Sequence, residues 1–243
     1  MIDPDAERPH PPGSSSAWTE TWELRLASPT LDLATAIAVV QRPAEGQVSY
    51  LGAVLGRDRP PVVVLDHDIP IPRTGLELRS SGIWADHVCE TPHEHWSVGL
   101  EAFALELDEP DDLITVGRGH SIPLGFDLEW ETPTAPVPIR ADTDDGYFAT
   151  GFGHGEILLG DQTLEIEGPG HRLHRWGTGP ALAEWWADSD DAGWGQPPRP
   201  VAALARVSVA DHNGSVVELQ LGPRLDPDGP GPRGWSTLRI ASP

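Results

Sequence analysis

WTETWELRL, residues 18–26, puts Trp18, Glu20, Trp22, Leu24 and Leu26 on the even positions and Thr19, Thr21, Glu23 and Arg25 on the odd ones. Alternation with a period of two is the signature of a strand with one buried and one wet face, because successive side chains of an extended backbone point to opposite sides. The rhythm returns in LGFDLEWE, residues 124–131, where Leu124, Phe126, Leu128 and Trp130 oppose Asp127, Glu129 and Glu131. Between these two segments the chain predicts strands near 33–42, 47–56, 61–66, 75–80, 83–89 and 96–107. They are separated by AEG, GRDRPP, IPRTG and ETPHE, all with turn chemistry. Strands this short and closely spaced pair most simply as antiparallel neighbours.

Farther out, residues 1–16 (MIDPDAERPHPPGSSS) carry too little apolar surface to offset the entropy of ordering and read as a disordered tail. TPTAPVPIRADTDDG, residues 132–146, has three prolines and an acidic cluster without apolar periodicity and reads as a linker. A second set of strands is expected at 147–159, 163–167, 171–176, 201–210, 214–221 and 235–240, with GDQ and HNG as tight turns. ALAEWWAD, 181–188, is a short helical stretch, and GPRLDPDGPGPRG is a long exposed loop. The chain is therefore expected to be all-β: an antiparallel barrel or sandwich unit over 17–131 and another over 147–243, packed in tandem.

Composition narrows the function. The formal charge is −22, all 16 basic residues are arginine and there is no lysine. Such a charge repels phosphate backbones and anionic lipid heads, so nucleic acid is not an expected partner. The missing lysine rules out Schiff-base chemistry. Cys89 is the only cysteine, so the chain forms no internal disulfide. No stretch has the roughly 18 uninterrupted apolar residues of a membrane helix, and the first residues lack the order of a signal peptide, so a cytoplasmic protein without membrane insertion is expected. Ten tryptophans against four phenylalanines and two tyrosines suit a β core or an apolar pocket.

GPGHRLHRWG, residues 168–177, concentrates polar chemistry. On a strand, Arg172, His174 and Trp176 share one face and Leu173 and Arg175 the other. A guanidinium, an imidazole and an indole on one concave surface can bind an oxyanion and stack an apolar body; equally, Arg172 and His174 can pair with carboxylates while Trp176 fills the core. HEHW, residues 93–96, puts His93 and His95 on one side of an extended chain, as metal ligands would sit, with Glu101 beyond and PGHRLH as a distant second half. The spacing fits a two-histidine, one-glutamate site poorly, and no metal or cofactor is expected. Asp66, His67 and Asp68 end the apolar run PVVVL and read as a solvated loop. No G-x-S-x-G elbow or phosphate-cradling glycine loop occurs.

GYFATGFGHGEILLGDQTLEIEGPGHRLHRWG, residues 146–177, resembles the second domain of the tandem lipocalin-like family of AttH-like proteins and carotenoid 1,2-hydratases (hydroxyneurosporene synthases). Gly168, Gly170, Arg172, His174, Trp176 and Gly177 match a pattern close to G-x-G-x-R-D-H-x-W-G. HEHWSVGLEAFALELDEP resembles the first domain more loosely. The resemblance implies two lipocalin-like units and a small apolar ligand, of terpenoid, steroid, acyl or polyketide type, held in a Trp-lined cavity at their junction. It also implies cofactor-free hydration, isomerisation or cyclisation, with Arg172 as oxygen anchor, His174 as proton donor or acceptor, and Trp176, Trp96, His95 and Gly170 against the ligand. Leu173 stands where that pattern has an acidic residue, and leucine donates no proton. An inert binding or accessory protein is therefore the alternative, and a cupin-type metal enzyme a more distant one. Catalysis would need a carboxylate, such as Glu156, Glu165, Glu167 or Asp66, on the face of His174.

Overall fold

The computed structural model describes residues 2–28, 30–31, 33–56, 59–108, 118–133, 135–140, 144–178, 205–210, 216–221 and 238–241. The stretch expected to be helical at 181–188, the HNG turn and the loop at 222–234 lie outside them. The strands are β1 (Thr19–Ser28), β2 (Leu33–Arg42), β3 (Gln47–Gly56), β4 (Arg59–Pro70), β5 (Leu76–Ser80), β6 (Ile83–Thr91) and β7 (His95–Leu107). They continue with β8 (Gly119–Glu131), β9 (Val137–Arg140), β10 (Asp144–Leu159), β11 (Gln162–Gly177), β12 (Ala205–Ala210), β13 (Val216–Leu221) and β14 (Leu238–Ala241). The fold is all-β, as the alternation requires. None of the described helices is long and apolar enough to cross a membrane.

Every pairing in the main sheet is antiparallel, and its order is β4-β3-β2-β1-β11-β10-β8-β7-β6-β5. The 13-residue β7 lends one edge to two partners. Its first part pairs with β6, and beyond that Glu106 and Leu105 pair with Val62 and Val63 of β4. This second pairing closes β4-β3-β2-β1-β11-β10-β8-β7 into a ring of eight strands, from which the β5–β6 hairpin departs. The strands β12, β13 and β14 form a separate three-stranded sheet in that order.

The division expected at 132–146 does not separate two sheets. β10 pairs with β8 and β11 with β1, so the strands before and after it share one hydrogen-bond ladder. Inside the expected linker, β9 pairs with the first residues of β10. Alternation reveals that a segment is a strand but not which strand lies beside it, and so the join escaped a reading by segments.

GPG at 168–170 is another difference. It is not a break between two strands, because β11 runs through it as one 16-residue strand. A Cβ at Gly168 would collide with the carbonyl oxygen of Ala27, and one at Gly170 with that of Arg25. These glycines permit close approach of β11 to β1.

One cluster unites Trp22, Leu24 and Leu26 of β1 with Ile37, Tyr50, Val64, Trp96, Leu100, Phe126, Trp130 and Ile157 from the other strands of the ring. β2 and β3 are buried on both faces along almost their whole length. That accounts for their continuous apolar sequences, LATAIAVV and VSYLGAVL, in place of alternation. β12 lies against β1, β2 and β11.

Candidate functional site

Cross-strand register assembles the site. Trp22 of β1, His174 of β11 and Tyr147 of β10 stand in one row, and Leu24, Arg172 and Ala149 in the next. Period-two alternation turns Arg172 and His174 inward, where both are buried. Leu173 and Arg175 occupy the opposite face, also buried.

The polar partners of this row come from the amino-terminal segment. Residues Pro4–Glu7 form a 3₁₀ turn capped by the Asp3 carboxylate, and Glu7 is buried. This segment, expected to be a tail without structure, is held because its few polar groups find buried partners. Arg172 Nη2 donates to Glu7 Oε1 at 2.7 Å and the Tyr147 hydroxyl to Oε2 at 2.5 Å. The backbone N–H of His93 donates to Oε1 at 2.9 Å. His93 turns the β6–β7 hairpin at φ 64°, in the left-handed region, and this geometry aims its N–H at Glu7. Burial pushes the Glu7 carboxyl up, but Arg172, Tyr147 and the His93 N–H together hold it below the usual carboxylate range. The Arg172 guanidinium also lies 4.6 Å from the Trp96 ring centre, as a cation over an aromatic face.

A second carboxylate lies one residue pair away. Glu20, with no exposed surface, accepts His174 Nε2 at 2.8 Å and His10 Nδ1 at 2.7 Å on the same oxygen, Oε1. The backbone N–H of His10 reaches Oε2 at 2.9 Å. His10 stacks on Trp176, with ring centres 3.7 Å apart, and Trp22 stacks on His174 at 4.6 Å. Burial drives His174 toward the neutral imidazole more strongly than Glu20 draws it back. Glu20 is pushed up by burial, yet hydrogen bonds from the two imidazoles bring it below its ordinary value.

Beneath these groups lies a cavity of about 20 Å³ lined by Trp22, Leu24, Trp96, Trp130, His87 and Arg172. It has room for one water. Trp22 Nε1, Trp96 Nε1, His87 Nε2 and Arg172 Nε have no hydrogen-bond partner among the described protein atoms.

Arg172, His174, Trp176 and Trp96 thus come together. His95 does not join them: neighbours on a strand face opposite ways, and His95 points outward to Glu129 Oε2 at 2.6 Å while Trp96 points in. Gly170 lies farther along β11 as the close approach to β1. His93 and His95 go to different carboxylates, so they do not form a shared metal pair. Of the carboxylates weighed for catalysis, Glu156, Glu165 and Glu167 are exposed, and Asp66 is half-buried on β4. Among the described residues, Glu7 and Glu20 are the carboxylates hydrogen-bonded to Arg172 and His174. Glu20 was legible as an acidic residue at a core-facing position between two tryptophans; Glu7 and His10 carried no signal in a proline-rich segment. Burial raises the Cys89 thiol to about 11, which leaves it a poor nucleophile.

No curated protein and no solved structure matches the chain. The model of a domain of unknown function, DUF7064, matches residues 3–215, a span that takes in Glu7, the whole ring of strands and the β11 face. The chain belongs to the DUF7064 family.

Proposed function

We propose that this protein binds a small, largely apolar molecule carrying a carboxylate, of acyl or terpenoid-acid type, against the inner face of β11. The observation behind this reading is Glu7. Its carboxylate sits on Arg172, Tyr147 and the His93 N–H, with three tryptophans of the core beneath, and it occupies the place that a ligand's carboxylate would take. A cavity of about 20 Å³ is far below the several hundred Å³ of a typical ligand pocket. Binding therefore requires the amino-terminal segment to withdraw and the tryptophans to part. The resemblance to the tandem lipocalin-like family supports a ligand of this kind. Turnover by hydration, isomerisation or cyclisation is the second reading. The unpartnered Nδ1 of His174 favours it, since an Nε2–H donated to Glu20 leaves Nδ1 as a proton acceptor.

Glu7→Ala is the direct test. Fatty and terpenoid acids, with the matching alcohols as controls, are titrated while tryptophan fluorescence and melting temperature are followed. Acids should bind the variant at least about tenfold more tightly than the wild type, and raise its melting temperature, because no internal carboxylate competes. Alcohols should show no such gain. If no acid binds either protein, the reading fails, and Glu7 is a structural ion-pair partner.

A further inference from the structure

We infer that His10, Glu20 and His174 form a binding site for one divalent transition-metal ion, zinc foremost. Nothing in this inference depends on the small-molecule reading.

The first ground is geometry. One ligand atom from each residue lies within 4.8 Å of the other two, and the imidazole nitrogens are 2.7 and 2.8 Å from the same carboxylate oxygen. Around a tetrahedral zinc, with bonds of 2.0–2.1 Å, ligand atoms stand about 3.3 Å apart. A spread of a few tenths of an ångström admits the ion. Glu20 and His174 are fixed on neighbouring strands of the ring, and His10 is held against them by its stack on Trp176.

Charge is the second ground. Glu7 has the permanent cation Arg172 at 2.7 Å, whereas the hydrogen-bond partners of Glu20 are imidazoles and a backbone N–H. A carboxylate with no exposed surface is costly to keep charged without a cation. A divalent ion between these three side chains supplies one. Two imidazole nitrogens and one oxygen suit zinc, cobalt or nickel and disfavour magnesium and calcium, which require mostly oxygen. The tautomers allow it. Two neutral rings need only carry their protons on His174 Nδ1 and His10 Nε2, which leaves both metal-facing nitrogens with a lone pair. Metal bound here would also fasten the amino-terminal segment to the ring through His10.

The test uses the full chain, prepared without a histidine tag and freed of metal by a chelator. It is titrated with Co²⁺ and Zn²⁺, with metal per chain and the visible bands of Co²⁺ as readouts. One equivalent should bind and the bands should report nitrogen–oxygen coordination. His10→Ala, a change outside the strands, should weaken binding by roughly 100-fold or more with an unchanged circular dichroism spectrum, since losing a direct ligand costs at least as much as losing its supporting partner. Glu20→Gln should act in the same direction, and His95→Ala should leave affinity unaltered. Less than half an equivalent on the wild type, or binding to His10→Ala within threefold of it, overturns the inference.

Discussion

Glu7 and Glu20 are both buried carboxylates that meet inward-facing residues of β11, two positions apart, and they are neutralised by different means. Glu7 faces a guanidinium that is charged at every relevant pH, with a phenol and an amide completing its shell. Glu20 faces two imidazoles whose charge is optional. The first arrangement is a closed ion pair around a carboxylate. The second keeps its acceptor oxygens between two nitrogen ligands and is open to protons or to metal. A single strand thus carries two sites of different chemistry because Arg172 and His174 share a face and receive carboxylates from different parts of the chain.

Breaking the ion pair should have the largest effect. Arg172→Leu leaves Glu7 without its cation, and truncating one partner of a buried pair costs about 3–5 kcal/mol. Urea denaturation should show a loss of that order. Adding Glu7→Gln to the same variant should recover part of it, because the stranded charge is gone. Equal losses in the single and double variants would mean that the segment simply swings out and that the pair contributes little to folding.

His87 extends the comparison to a buried imidazole with no carboxylate. Burial lowers its pKa from 6.5 to about 4, so the folded protein keeps the ring neutral. Below pH 6.5 the unfolded chain binds a proton that the folded one does not. Stability should therefore fall as pH drops from 6.5 toward 4, by about 3 kcal/mol from this residue, and level off below its folded pKa. The contributions of Glu7 and Glu20, whose folded pKa values are depressed, are present above their unfolded value and are lost only at lower pH. His87→Gln should flatten the upper part of that pH profile.

A smaller loss should follow Tyr147→Phe. The Tyr147 hydroxyl donates to Glu7 Oε2 and accepts Arg172 Nη1 at 3.2 Å. Removing it keeps the charges together but withdraws a hydrogen bond to a charged group, worth about 2 kcal/mol. Thermal unfolding of the variant should show that loss while acid binding, measured in the Glu7→Ala background, weakens.

Alternation in the sequence located β1 and β8 and placed Arg172, His174 and Trp176 on one face, but it missed β9 and divided β11 in two. Continuous apolar runs predicted β2 and β3 at their observed boundaries, since AEG and GRDRPP end them with turn residues. Long-range pairing was not legible. Nothing local in GYFATGFGHG shows that β10 lies against β8, and the proline-rich chain between them resembled a boundary. The amino-terminal segment escaped for a related reason. Glu7 is ordered by Arg172, Tyr147 and His93 and His10 by Glu20 and Trp176, partners that meet them only in the fold, and a composition argument weighs only apolar surface. Trp96 and His95 show the opposite limit, because adjacent residues of one motif were assigned to one site although a strand must send them to opposite faces.

That last pair yields the smallest expected effect and the sharpest control on the comparison. His95 Nε2 and Glu129 Oε2 are 2.6 Å apart, closer than either imidazole on Glu20, yet both side chains are 37% exposed. Water and salt screen such a pair, and holding two mobile side chains together costs entropy, so its net worth is at most about 0.5 kcal/mol. His95→Ala should accordingly shift the urea midpoint by no more than that, at low or high salt, while leaving metal uptake and acid binding as in the wild type. On Glu20 the carboxylate of the same kind of pair is fully buried, and there His10→Ala should be felt in metal binding. If His95→Ala instead disturbed the inner sites, burial would not be what separates the two kinds of pair, and the outer face of β7 would have to communicate with β11 through Trp96.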